Sequence, residues 1–211
     1  MIALRRHALV RLSQAPRAGR DADRILADRW QAAGRPFVVA RRGAEQDIVA
    51  LGFCSVDPRH PELRPRRVAA AADPKHVVDV ARPPLLAEVA ENPMAGTRAA
   101  TFARLAAAAE REGLDVRVYG SWMWQILTGE NHVRETSDLD VLVEVADVAE
   151  ADRAAAFLER EETALAFKLD GELSFPGLGE VHWREYCQGR AEIAMKSPTG
   201  LRLMPRSVLP R

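Results

Sequence analysis

The sequence predicts an α/β (α+β) protein in two units, a small basic one over residues 1–92 and a larger one over residues 93–211. Three observations predict it. Apolar residues at helical spacing alternate with period-2 apolar runs, Asn92-Pro93 interrupts the pattern, and charge segregates on either side of that break. Residues 1–67 hold 14 arginines against 7 acids, whereas residues 135–185 hold 14 acids against 4 basic residues. The 211-residue chain as a whole is neutral, with 30 Lys+Arg and 30 Asp+Glu, and is 47% hydrophobic. It can bury a sizeable core but has no global positive field to hold nucleic acid or an anionic membrane. No stretch approaches the ~18 apolar residues of a membrane span. Cys54 and Cys187 form no CxxC pair and cannot build a disulfide framework, so a soluble cytoplasmic protein is expected.

In the first unit, Ala22, Ile25, Leu26, Trp30 and Ala33 repeat at i, i+3, i+4 spacing behind Asp21 and Asp23 as N-caps, with Gly34 as the stop. FVVAR, DIVALGF and RRVAAAA follow as three short strands of a small sheet. Pro74 opens a helix-like stretch, Pro83-Pro84 breaks it, and LLAEVAE resumes a helix. In the second unit, Thr97 is the expected N-cap of a helix that lines up Phe102, Leu105 and Ala109 and stops at Gly113. DVRVYG is a strand with Val116 and Val118 on one face. Gly120-Ser121 turns into the short helix WMWQIL, and the polar loop ENHVRET leads to the strand SDLDVLVEV. Asp147 caps a helix to about Glu161, after which ALAFKLDGELSF, EVHWREY and AEIAMK read as strands.

Two features carry chemistry. Residues i and i+2 of a strand project from one face, so Asp138 and Asp140 set two carboxylates side by side while Leu139 points to the core. Two such groups repel unless a cation joins them, and hard oxygens at this spacing suit Mg²⁺, which shares its shell with substrate phosphates. Gly120 lets a phosphate approach the backbone at a helix N-terminus, where the Ser121 hydroxyl adds a donor. Gly120, Ser121, Asp138 and Asp140 together would clamp a triphosphate. The five histidines show no paired zinc spacing, and Trp122 and Trp124 fit a core better than a base-stacking platform.

Glycine-serine after an apolar strand, then a short helix, a loop and Ser-Asp-x-Asp running into another strand resembles the nucleotidyltransferase superfamily. VYGSWMWQILTGENHVRETSDLDVLVEV, LDGELSF, VHWREY and IAMK, with the N-terminal RRHALVRL and GRPFVVARR, narrow the likeness. They resemble the malonate decarboxylase holo-acyl-carrier-protein synthase family, the phosphoribosyl-dephospho-CoA transferases. The resemblance implies a nucleotidyltransferase-like mixed sheet flanked by helices. It also implies Mg²⁺-dependent attack by a serine of the apo acyl carrier subunit of malonate decarboxylase on 2′-(5″-triphosphoribosyl)-3′-dephospho-CoA, with loss of pyrophosphate. Superfamily members generally take a third carboxylate from a neighbouring strand. Asp170 is chosen for it here, with Glu172 and Glu185 as alternatives, and Asp-Gly at 170–171 reads equally well as a hairpin turn. Lys196 could neutralise the departing pyrophosphate, and His132, Arg134 and Lys168 could reach phosphates. The basic first unit could receive an acidic carrier. Two other functions stand beside this one: a nucleotidyltransferase acting on a small hydroxyl compound or RNA, and an inactive binding module of the same fold.

Overall fold

The computed structural model describes residues 4–41, 47–57, 59–60, 62–197 and 200–211. They form two compact units, one from the residues up to Pro83 with Glu130–His132 and Gly200, the other from Pro84–Gly129, Val133–Ser197 and Leu201–Arg211. The units part at Pro83-Pro84, nine residues before the expected break at Asn92-Pro93. Each unit is built on a six-stranded sheet. Sheets and flanking helices give an α+β protein.

The first unit runs β1 (Leu9–Leu12), β2 (Arg17–Ala18), α1 (Asp21–Ala32), β3 (Phe37–Val39), β4 (Val49–Ser55), β5 (Arg66–Ala72) and β6 (Val77–Ala81). Its sheet has the order β2-β5-β4-β3-β1-β6 and is antiparallel throughout. Trp30 of α1 packs on Phe53 with ring centroids 4.8 Å apart, and Phe37 meets Phe53 edge-on at 5.5 Å. Burying an aromatic side chain of this kind contributes roughly 2–3 kcal/mol. Helix α1 begins after Arg20, which makes no side-chain cap, so Asp21 and Asp23 lie in the first turn instead of capping it. There they still complement the helix dipole. The stretch opened by Pro74 is one 3₁₀ turn, Pro74–His76, followed by β6. Its β-branched VVDVA run pairs with β1, and sheet pairing overrides the helical reading.

The second unit runs α2 (Leu86–Glu91), a 3₁₀ segment (Pro93–Arg98), α3 (Ala99–Arg111), β7 (Val116–Val118), α4 (Gly120–Thr128), β8 (Leu139–Glu144), α5 (Val148–Glu162), β9 (Leu169–Phe175), β10 (Gly179–His182), α6 (Trp183–Cys187), β11 (Glu192–Ser197) and β12 (Gly200–Pro205). The sheet order is β12-β11-β10-β9-β8-β7. Strands β8 and β9, joined through α5, run parallel, while β7 pairs antiparallel with β8, and β10 pairs antiparallel with both β9 and β11. Phe102, Leu105 and Ala109 of α3 are buried as expected, and Phe102 meets Trp122 of α4 edge-on at 4.8 Å. Trp124 is buried too. Asp147 caps α5 by accepting the Glu150 N–H. Residue 98, not Thr97, precedes α3. WREY, expected in a strand, opens α6, because His182 caps a helical turn there by accepting the Arg184 N–H at Nδ1. Among the described residues no helix is long and apolar enough to cross a membrane.

Candidate active site

Strand β8 alternates cleanly: Leu139, Val141 and Val143 are fully buried, while Asp140, Leu142 and Glu144 take the opposite, partly open face. Asp138 precedes the strand by one residue and shares the parity of Asp140. A small turn delivers it there, in which the Arg134 N–H donates to Ser137 Oγ at 2.8 Å and the Ser137 N–H donates to the Arg134 carbonyl at 3.0 Å.

The parallel pairing of β8 with β9 puts Asp140 directly beside Asp170, with Leu142 beside Glu172 and Glu144 beside Ser174. Asp170 and Glu172 therefore share one face, and the hairpin reading of 170–171 is corrected. Gly171 is an interior strand residue whose missing side chain makes room for a helix. A Cβ there would stand 2.9 Å from Trp183 Cδ1, 3.1 Å from Leu158 Cδ1 and 3.2 Å from Val141 Cγ2.

Opposite the carboxylates stands the turn between β7 and α4. The Tyr119 N–H donates to the Asp140 carbonyl at 3.0 Å, which ties the start of α4 to β8. Gly120, with φ +68°, is the first helical residue. A Cβ on it would overlap the Asp140 carboxylate, whose Cγ would be 2.7 Å away. The Gly-Ser turn and the Asp-x-Asp strand thus touch, and glycine is required at position 120 both for its backbone and for the space Asp140 fills. Ser121 follows within α4 and is half-buried.

The remaining candidates separate. Asp170 accepts a hydrogen bond from His182 at 2.7 Å, which holds its carboxyl below the usual carboxylate range. Glu172 is buried and receives Lys196 Nζ at 2.6 Å, so Lys196 is ion-paired on this sheet face. Glu185, on α6, accepts the Ala194 N–H at 2.6 Å and serves β11. His132 belongs to the first unit and is buried, with its ring pushed down to about 4 by desolvation. Sequence reasoning missed two residues. Buried Gln125 donates to the Met94 carbonyl at 2.8 Å and accepts the Val133 N–H at 3.0 Å, anchoring the middle of the polar loop. His182 touches Asp170, and its signal was a polar residue alternating with Glu180 just before the WREY segment.

Among the described residues no three His, Cys, Asp or Glu side chains converge into a metal cage. The donor set on this face is nevertheless hard and anionic, with the carboxylates of Asp140 and Asp170 in register. Such a set suits Mg²⁺, which takes one or two carboxylates and fills its shell with water and phosphate oxygens, and needs no all-protein cage.

Residues 85–207 match the family model described as phosphoribosyl-dephospho-CoA transferase MdcG C-terminal domain, and residues 5–83 match the corresponding N-terminal domain. A phosphoribosyl-dephospho-CoA transferase of Bradyrhizobium diazoefficiens is 38% identical over 187 residues, covering 88% of this chain and 80% of the relative. One of Xanthomonas campestris is 39% identical over 214 aligned positions, covering 97% and 95%. One of Azotobacter vinelandii is 31% identical over 178 residues, covering 82% and 80%. No solved structure shows a significant match.

Proposed function

The chain belongs to the phosphoribosyl-dephospho-CoA transferase family, and from that premise we propose that it loads the apo acyl carrier subunit of malonate decarboxylase with its prosthetic group. The donor is 2′-(5″-triphosphoribosyl)-3′-dephospho-CoA. The carrier serine Oγ bonds to the α-phosphorus, the bond from that phosphorus to the oxygen bridging it to the β-phosphorus breaks, and pyrophosphate leaves. The serine proton passes to a carboxylate of the site or to water. The observation that carries this reading is the in-register pair Asp140 and Asp170, with Gly120 against Asp140.

Mg²⁺ held by Asp138 and Asp140 would neutralise phosphate charge, and a second ion shared with Asp170 would lower the pKa of the attacking hydroxyl. The chain's own contribution is positioning and charge. Gly120 and Ser121 would hold the leaving pyrophosphate at the start of α4. Lys196, its ammonium fixed by Glu172, would offset the departing charge from the same face. The arginine-rich first unit would attract an acidic carrier, an encounter that weakens with salt.

The test is intact-mass analysis of the apo carrier after incubation with the full chain, Mg²⁺ and either the triphosphoribosyl donor or ATP. Addition of one phosphoribosyl-dephospho-CoA group from the first donor is expected. Adenylylation of the carrier by ATP, with no transfer from the CoA-derived donor, would overturn the assignment.

A further inference from the structure

His182 stands where β10 ends and α6 begins, and both of its ring nitrogens are engaged. Nδ1 lies 3.1 Å from the Arg184 backbone nitrogen, whose N–H can only donate. Nδ1 is therefore the acceptor, and in the neutral ring the proton is on Nε2. That nitrogen is 2.7 Å from Oδ1 of Asp170. The ring is held from the other side as well. Trp183 is buried, its indole N–H donates to the Leu169 carbonyl at 3.0 Å, and its ring packs against the opening left by Gly171. The residues on either side of Asp170 in β9 thus anchor the same short segment that carries His182. Asp170 is 43% exposed, so one oxygen is committed to the imidazole while the carboxylate still faces outward beside Asp140.

We propose that His182 is a positioning residue for the reaction, its Nε2–H fixing the orientation of the Asp170 carboxylate so that Oδ2 is presented to the divalent cation. This rests on the reading of Asp170 as the third carboxylate. The donor imidazole does for Asp170 what outer-shell partners do at metal sites generally, where their loss weakens metal affinity about 10–100-fold.

The two contacts of His182 can be separated by substitution. In His182→Asn the amide oxygen occupies the position of Nδ1 and keeps the cap on Arg184 N–H, as asparagine does well at helix N-termini, but the chain is too short to reach Asp170. In His182→Gln the amide nitrogen occupies the position of Nε2 and keeps the donor to Asp170, while the cap is lost. Mn²⁺, as the spectroscopic stand-in for Mg²⁺, is titrated into the full chain and free Mn²⁺ is read by electron paramagnetic resonance, with melting temperature measured in parallel. Wild-type binding that is lost in Asp170→Asn, weakened about 10–100-fold in His182→Asn and retained within about threefold in His182→Gln is the expected pattern. Binding in His182→Asn equal to wild type, or equal losses in the two His182 variants, would overturn the positioning role. Wild-type binding that survives Asp170→Asn would overturn the third-carboxylate reading instead. Should His182→Asn fail to fold, ¹⁵N chemical shifts of the wild-type imidazole decide: an Nε2-protonated tautomer is expected, and an Nδ1-protonated one refutes the proposal.

Discussion

The two six-stranded sheets of this protein begin from similar material and end differently. In the first, every pairing is antiparallel, and the alternating faces bury Val49, Leu51 and Phe53 against Trp30 and Phe37. In the second, α5 carries the chain back so that β8 and β9 run parallel. The parallel pair sets two similar segments, LDVLVE and LDGELS, side by side in the same direction, and their aspartates fall into register. Placing two carboxylates next to each other costs Coulomb energy. The first sheet contains no such pairing in its described register. Adjacent like charges that the backbone enforces are the observation on which the proposed site in the second sheet rests.

The largest effect that would break this contrast is loss of the carboxylates. Asp138→Asn and Asp140→Asn should each lower transfer about a thousandfold, because a charged ligand at a phosphoryl-transfer site stabilises the transition state by several kcal/mol. Pyrophosphate release measures the activity and circular dichroism the fold. Near-wild-type turnover with intact fold would make the second sheet as purely structural as the first.

Gly120→Ala should come next. The strain of a side chain at φ +68° costs on the order of 1–2 kcal/mol, and the new methyl must displace the Asp140 carboxylate. Activity should fall about a hundredfold while the melting temperature drops a few degrees. A variant that merely melts lower, with unchanged kcat, would show the turn to be structural.

Acid titration sharpens the comparison from the other side. His132, counted with the first unit, is buried and pushed down to about 4, below its ordinary 6.5. The unfolded chain therefore binds its proton more readily. The stability contributed by neutral burial is complete above pH 6.5 and is lost as pH falls through 4, a change of roughly 3 kcal/mol. Denaturant unfolding between pH 4 and 7 should show this slope, and His132→Leu should flatten it. A slope unchanged by the substitution would place the acid sensitivity elsewhere.

The smallest effect belongs to Ser121→Ala, which removes one hydroxyl from the start of α4. A loss of about 1–3 kcal/mol, or roughly fivefold to 150-fold in turnover, is expected if the hydroxyl holds pyrophosphate. No change in turnover would confine phosphate binding to the backbone.

Much of this organisation was legible in the residues themselves. The alternation of β8, the helix α3 with Phe102, Leu105 and Ala109 on its inner face, and the cap at Asp147 are local patterns, and periodicity and capping chemistry determine them without reference to the rest of the chain. What depends on partners distant in sequence could be decided only by tertiary structure. Whether Asp170-Gly171 is a turn or a strand depends on Trp183 needing the space a Cβ would take. Which of Asp170, Glu172 and Glu185 lies beside Asp140 depends on the parallel register, while Lys196 and the Ala194 N–H engage the other two. The strand at Val77–Ala81 exists because β1 offers it an edge. Sequence periodicity reports which way a side chain faces; which neighbour it then meets is set by pairing across 30 or more residues, where loop closure and packing, not local propensity, hold the balance.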